Sequence, residues 1–276
     1  MKKNLIIAEI GINHNGDMEL AKHLIDKAKN AGCDAVKFQK RTIEDVYTKE
    51  ELDKPRESPF GTTNREQKEG LEFSIEQYKE LEEYTKKKRL KFIVSCWDLN
   101  SLKLIEENLN VKYHKVASAL LTDKNFLLAL NETKKPIILS TGMSNSKEID
   151  KALNVLKNVK YLLACTSTYP TKKEEINLKH ITILKEKYPH LKIGFSNHYS
   201  GLDACVGATA LESECIEFHI TKDRSMYGSD QPASIENVKG MVEAIRNMEI
   251  MVGDGNKVVY EDEKPIISKL RKINNL

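Results

Sequence analysis

Leu5-Ile6-Ile7-Ala8-Glu9, an amphipathic stretch from Asp17 to Ala31, and then Ala35-Val36-Lys37-Phe38 make the opening unit of this sequence. The first and last pieces are short, apolar and β-branched, and the middle piece has helical periodicity. The same unit recurs. Further strand-like runs are Lys91-Phe92-Ile93-Val94-Ser95, Tyr113-His114-Lys115-Val116-Ala117 and Pro136-Ile137-Ile138-Leu139-Ser140. Tyr161-Leu162-Leu163-Ala164-Cys165, Lys192-Ile193-Gly194-Phe195-Ser196 and Cys215-Ile216-Glu217-Phe218-His219 complete the set. Helix-period stretches such as Ser74 to Lys88 and Ser146 to Lys157 lie between them, with Ser74 and Ser146 read as helix starts. Continuous apolar runs, rather than alternating ones, mark parallel strands covered on both faces. Eight repeats predict an α/β fold of the (β/α)8 TIM-barrel class, with a doubly wound open sheet as runner-up. No G-x-G-x-x-G follows the first strand, which weakens a dinucleotide-binding reading. The segment from Arg41 to Glu72 reads as one long irregular loop, functional or mobile.

The 276 residues fit one such barrel, expected over residues 1–256. Lys and Arg number 44 against 41 Asp and Glu, a net charge of +3 too small for a nucleic-acid protein. Lys86-Lys87-Lys88-Arg89 falls at a helix end, where cations complement the dipole. Cys33, Cys96, Cys165, Cys205 and Cys215 are scattered and form no C-x-x-C, which argues for a reducing compartment. No signal-peptide anatomy and no apolar run near the ~20 residues of a membrane span are present, so a cytoplasmic location is expected.

Polar residues crowd the carboxyl ends of the strands. Glu9 leads into Gly11-Ile12-Asn13-His14-Asn15-Gly16; Lys37 and Gln39 close the second strand and Ser95 the third. Lys115 and Ser118 follow at the fourth, Ser140 at the fifth, Thr166 to Tyr169 at the sixth. Ser196-Asn197-His198 and Glu217 with His219 end the last two. In a barrel these ends meet at one mouth, where the active site lies. His198 and His219 stand on adjacent strand ends and are candidate metal ligands. His14 has two readings, a substrate contact or a brace of its own loop; His23, His180 and His190 read as surface. Lys37 and Lys115 suit phosphate and carboxylate binding, with a metal-free Schiff-base lysine as the rival chemistry. For one of them a structural salt bridge to Glu9 is the plainer reading.

The stretch Ile7-Ala8-Glu9-Ile10-Gly11-Ile12-Asn13-His14-Asn15-Gly16 resembles the opening motif of the N-acetylneuraminate (sialic acid) synthase family. The resemblance continues in order through Val36 to Gln39, His114 to Ser118, Leu139 to Met143 and Cys165 to Pro170. Gly194 to His198, Glu217 to Thr221, and Gly228-Ser229-Asp230 with Ser234 extend it, so it spans roughly Leu5 to Asn256. It implies Mn²⁺, with Mg²⁺ or Co²⁺ as alternatives, on His198 and His219. It implies phosphoenolpyruvate on Lys37, Lys115, Ser140 and Ser196, and an amino-sugar near Tyr169 and Asp230. Glu9 is the candidate proton-handling residue; Asn13, Gln39, Ser95 and Ser118 complete the substrate-binding set. The implied reaction joins phosphoenolpyruvate to an N-acetylhexosamine aldehyde, N-acetylmannosamine or a related sugar, giving a nonulosonic acid. Another phosphoenolpyruvate-dependent sugar-acid synthase and a non-catalytic sugar-binding barrel are the alternatives. The resemblance implies a homodimer; the antifreeze-like domain common after the barrel in the family is expected to be absent, with residues 257–276 similar to the start of the linker to it. Asn197 and Gln231 stand where the family frequently has Asp and His, leaving the sugar open. Trp97, in place of a Phe, reads as a packing change.

Overall fold

The computed structural model describes residues 3–272. The strands, in chain order, are β1 (Leu5–Gly11), β2 (Ala35–Lys40), β3 (Pro55–Ser58), β4 (Gly61–Thr63) and β5 (Lys91–Cys96). They continue with β6 (His114–Val116), β7 (Ile137–Ser140), β8 (Val159–Cys165), β9 (Lys192–Asn197) and β10 (Cys215–His219). Eight of them close in the order β1-β10-β9-β8-β7-β6-β5-β2, every pairing parallel. Closure excludes the open doubly wound sheet.

The core divides as a barrel requires. Inside lie Leu5, Ile7, Ala35, Ile93, Tyr113, Ile138, Tyr161, Leu163 and Cys215. The alternate residues of the same strands, such as Ile6, Ala8, Val36, Val94, Leu139 and Leu162, join the helices in the larger outer core. Side chains alternate faces along a strand, so the interior set fixes where the next residues point. Ile7 is inside, hence Glu9 is; Ala35 leads to Lys37 and Gln39, and Ile93 to Ser95. By the same step Ile138 leads to Ser140, and Cys215 to Glu217 and His219. Pairing sets Glu9 beside Lys37 on one side and His219 on the other, and Glu217 beside Ser196.

The helices begin and end close to their sequence signals. Asp17 caps Met18–Ala31, and Gly32 closes it in the left-handed region (φ 89°). Ser74 and Gln77 form a capping box on Ile75–Lys87. The helix expected from Ser146 does begin there, with Asn145 as its cap, boxed with Glu148, and it stops at Val155 rather than Lys157. Residues 41–72 are not the irregular loop expected. They hold two one-turn helices, Ile43–Val46 and Lys49–Leu52, the antiparallel hairpin β3–β4, and a capped helix, Asn64–Leu71. The final helix against the barrel is Val238–Val252; a short helix, Lys264–Leu270, follows with its side chains largely exposed. Of the tail read as residues 257–276, and of the N-terminal reading, residues 273–276 and 1–2 lie outside the described residues. Among those described, no helix is long and apolar enough to cross a membrane.

Candidate active site

At the carboxyl ends of the strands the interior widens into a cavity of about 190 Å³. Its lining includes Glu9, Lys37, Gln39, Ser95, Lys115, Ser118, Ser140, Tyr169, Ser196, His198 and His219, all expected from sequence. A second cavity of about 210 Å³ shares Gln39, Trp97 and Tyr169 with it and adds Asp230.

Four buried charges form its floor. Lys37 Nζ lies 2.9 Å from Glu9 Oε2 and 3.7 Å from Glu217 Oε1, and Lys115 Nζ lies 3.6 Å from the same Glu217 oxygen. Ser196 Oγ donates to that oxygen at 3.2 Å, and Gln39 Nε2 donates to Glu9 Oε1 at 2.6 Å. Glu217 is therefore the hub, although the sequence singled it out only as one polar strand end. Both readings of Lys37 hold together: it is paired with Glu9 and it faces the cavity. Burial raises the Glu9 carboxyl and Glu217 adds to this, with Lys37 opposing. For Glu217, burial is outweighed by Lys115 and Lys37, which hold it down to about 2. Burial also lowers the Lys115 ammonium, against the pull of Glu217. Ser95 Oγ donates to the Lys115 carbonyl at 3.1 Å, while Ser140 Oγ is buried without any hydrogen-bond partner.

The two histidines stand with ring centroids 5.3 Å apart. His198 Nδ1 meets the Thr166 carbonyl at 2.6 Å, so this nitrogen carries the proton and Nε2 keeps its lone pair. Tyr169 OH donates to that Nε2 at 2.9 Å. His219 Nδ1 is buried without a hydrogen-bond partner, 3.5 Å from Asp230 Oδ2. Burial holds the His219 imidazole down to about 3, so it is neutral. Burial also pulls His198 down, but Cys165 beside it and the Thr166 carbonyl outweigh this and hold it up. A fixed tautomer and an orphaned imidazole nitrogen fit two ligands to a divalent ion. Among the described residues no group of three or more His, Cys, Asp or Glu is arranged to hold one, so remaining ligands would be substrate or water.

Several readings need correction. Asn13 does not reach the cavity: its Nδ2 donates to the Ile220 carbonyl at 2.9 Å and to Ser234 Oγ at 2.8 Å, bracing β1 against the chain after β10. Of the two readings of His14 the brace holds, since the ring stacks on Phe73 at 4.1 Å and accepts from Gly16 N–H. Asn197 and Gln231 are turned into their own loops, towards Tyr199 and towards Thr221 and Tyr227, not towards a substrate. Trp97 is more than packing, since it lines both cavities and carries the Arg41 guanidinium 4.3 Å above its ring. Arg41, Tyr47 and Lys68 of the second cavity were missed. They sit in the 41–72 segment, whose polar composition hid their convergence.

The model of the NeuB family matches residues 24–257. The chain belongs to this family. It is 38% identical to the N,N'-diacetyllegionaminic acid synthase of Campylobacter jejuni, over 99% of this chain and 84% of the relative. It is 35% identical to the N-acetylneuraminate-9-phosphate synthase of Homo sapiens, over 97% of this chain and 76% of that one. An N-acetylneuraminic acid (sialic acid) synthetase structure from Leptospira borgpetersenii, solved with citrate, superposes with a TM-score of 0.85 at 29% identity. That match covers 98% of this chain and 93% of the other. A truncated 3-deoxy-D-arabino-heptulosonate 7-phosphate synthase from Thermotoga maritima, 14% identical with a TM-score of 0.64, shares the fold. This NeuB-family barrel thus carries its buried acids, lysines and histidines at the one mouth where the strand register delivers them.

Proposed function

We propose that this protein condenses phosphoenolpyruvate with the open-chain aldehyde of an N-acetylhexosamine, releasing phosphate and a nonulosonic acid. The observation that carries the reading is the pairing, in one cavity, of two buried lysines with two buried carboxylates beside a histidine pair. Buried Lys and Glu are costly in a core, and here they line open space.

Lys37 and Lys115 bind the phosphate and carboxylate of phosphoenolpyruvate, and Ser140, whose hydroxyl has no protein partner, donates to the same anion. Ser118, Ser95 and Ser196 complete that wall; Tyr169, Gln39 and Asp230 border the acceptor sugar. The methylene carbon of phosphoenolpyruvate attacks the aldehyde carbon and its C2 becomes an oxocarbenium centre. Water adds there, and phosphate departs with the bridging oxygen by C–O cleavage. Glu9, its carboxyl raised by burial, takes the proton of that water, and Gln39 orients it. His198 and His219 would hold a divalent ion, Mn²⁺ or, as alternatives, Mg²⁺ or Co²⁺. Such an ion supplies Lewis acidity at the aldehyde oxygen. A Schiff-base lysine is disfavoured because both lysines pair with carboxylates.

Phosphate release from phosphoenolpyruvate, assayed with Mn²⁺ against acetamido-hexoses including N-acetylmannosamine, tests this. Release should require sugar and metal and vanish in His198→Ala and His219→Ala. Chelator-insensitive turnover trapped by borohydride would instead make it a Schiff-base aldolase.

A further inference from the structure

The second cavity is rich in donors and poor in free acceptors. Arg41 is 91% buried, and its Nε has no hydrogen-bond partner; the indole Nε1 of Trp97 is buried and unpartnered as well. Lys68 Nζ lies 5.0 Å from the centre of the Tyr47 ring and has no carboxylate within ion-pair distance among the described residues. Burial, then the positive charges of Arg56 and Arg41, hold the Lys68 ammonium below its ordinary value. Arg41 and Lys68 therefore bring two positive charges to the cavity wall, with Arg56 nearby and Asp230 and Glu51 opposing them. Of the two carboxylates that line it, only Glu72 is held by cations. Glu72 Oε2 pairs with Lys40 at 2.9 Å and Glu72 Oε1 lies 3.6 Å from Arg41, while Asp230 faces His219 at 3.5 Å. Unpartnered buried donors are costly unless a ligand supplies acceptor oxygens. The cavity adjoins the reaction chamber through Gln39, Trp97 and Tyr169, so a ligand filling it extends from the reacting aldehyde.

We propose that this outer cavity receives the end of the acceptor sugar remote from its aldehyde, and that Arg41 and Lys68 select an acceptor carrying a phosphate monoester there. The proposal rests on the condensation reading above. The guanidinium sits over the Trp97 ring with its Nε unpartnered and can offer that edge, and the lysine adds a point charge on a flexible stem.

The test compares kcat/KM for N-acetylmannosamine with that for its 6-phosphate, in the wild type, Lys68→Met and Lys68→Arg. Calorimetric titration of the 6-phosphate into each protein runs alongside and needs no turnover. The wild type should prefer the phosphorylated sugar. That preference ratio should fall by at least about tenfold in Lys68→Met, as for a lost charge-assisted contact, and return in Lys68→Arg. Equal or better use of the neutral sugar, with a ratio unmoved by Lys68→Met, overturns the proposal and leaves the synthase reading intact. Absence of turnover with either sugar overturns the synthase reading instead. Calorimetry then decides the anion site alone: binding weakened by Lys68→Met supports it, and binding that is absent or unchanged by the variant rejects it.

Discussion

Two side chains in the same cavity make opposite predictions. Ser140 Oγ is buried with no partner, so its hydroxyl contributes nothing to the fold that a methyl would lose. Ser140→Ala should leave stability within about 1 kcal/mol of wild type and raise KM for phosphoenolpyruvate about tenfold. Chemical denaturation and steady-state kinetics measure the two; an unchanged KM would remove Ser140 from the site. Lys37 instead neutralises two buried carboxylates at once. Lys37→Met should destabilise by about 3 kcal/mol or more and abolish turnover, because an uncompensated buried acid is left behind. A variant as stable as wild type would mean that Glu9 and Glu217 do not depend on it. His14, like His219, contributes to the pH dependence of stability. Burial holds its folded-state pKa down to about 3, against an ordinary 6.5, so the unfolded chain binds the proton that the folded chain refuses. Stability should therefore fall as pH drops from 6.5 towards 3, and His14→Gln should flatten the slope by one proton, about 1.4 kcal/mol per pH unit. An identical slope in the variant would assign the acid sensitivity elsewhere.

At the scale of elements, the barrel strands were legible because both their faces are buried, which writes itself as unbroken apolar runs such as Ile6 to Ala8 and Ile137 to Leu139. The 41–72 segment was not. Its short elements bury no apolar side chains but Leu52 and Leu71, so no apolar period marks them, and Arg41 and Lys68 stayed invisible as neighbours. Asn13 misled for a related reason: a polar residue beside a mouth looks the same in sequence whether it faces substrate or braces two loops. The segment docks onto the loop after β1 through Gly16, which has φ +71°, and where an added Cβ would come 2.2 Å from the Gly70 carbonyl. Gly16→Ala should push the Asn64–Leu71 helix away and cost about 1–3 kcal/mol. KM for the acceptor should rise more than KM for phosphoenolpyruvate. Equal effects on both would mean that the helix does not border the acceptor.

For the whole molecule, the period-two register of eight parallel strands does the positioning. Interior residues at Ile7, Ala35, Ile138 and Cys215 oblige Glu9, Lys37, Ser140 and Glu217 to enter the same chamber two residues later. The candidate site was thus readable where a strand or the residues just after it delivered it, and unreadable in the 41–72 connection. The central claim is that this chamber joins two carbon skeletons and sheds phosphate with the bridging oxygen. Phosphoenolpyruvate labelled with ¹⁸O at that oxygen, turned over with an accepted acetamido-hexose, tests it by mass spectrometry. Labelled phosphate should appear together with an unlabelled sugar acid three carbons longer than the acceptor. Unlabelled phosphate, or phosphate formed without the longer acid, would contradict the account.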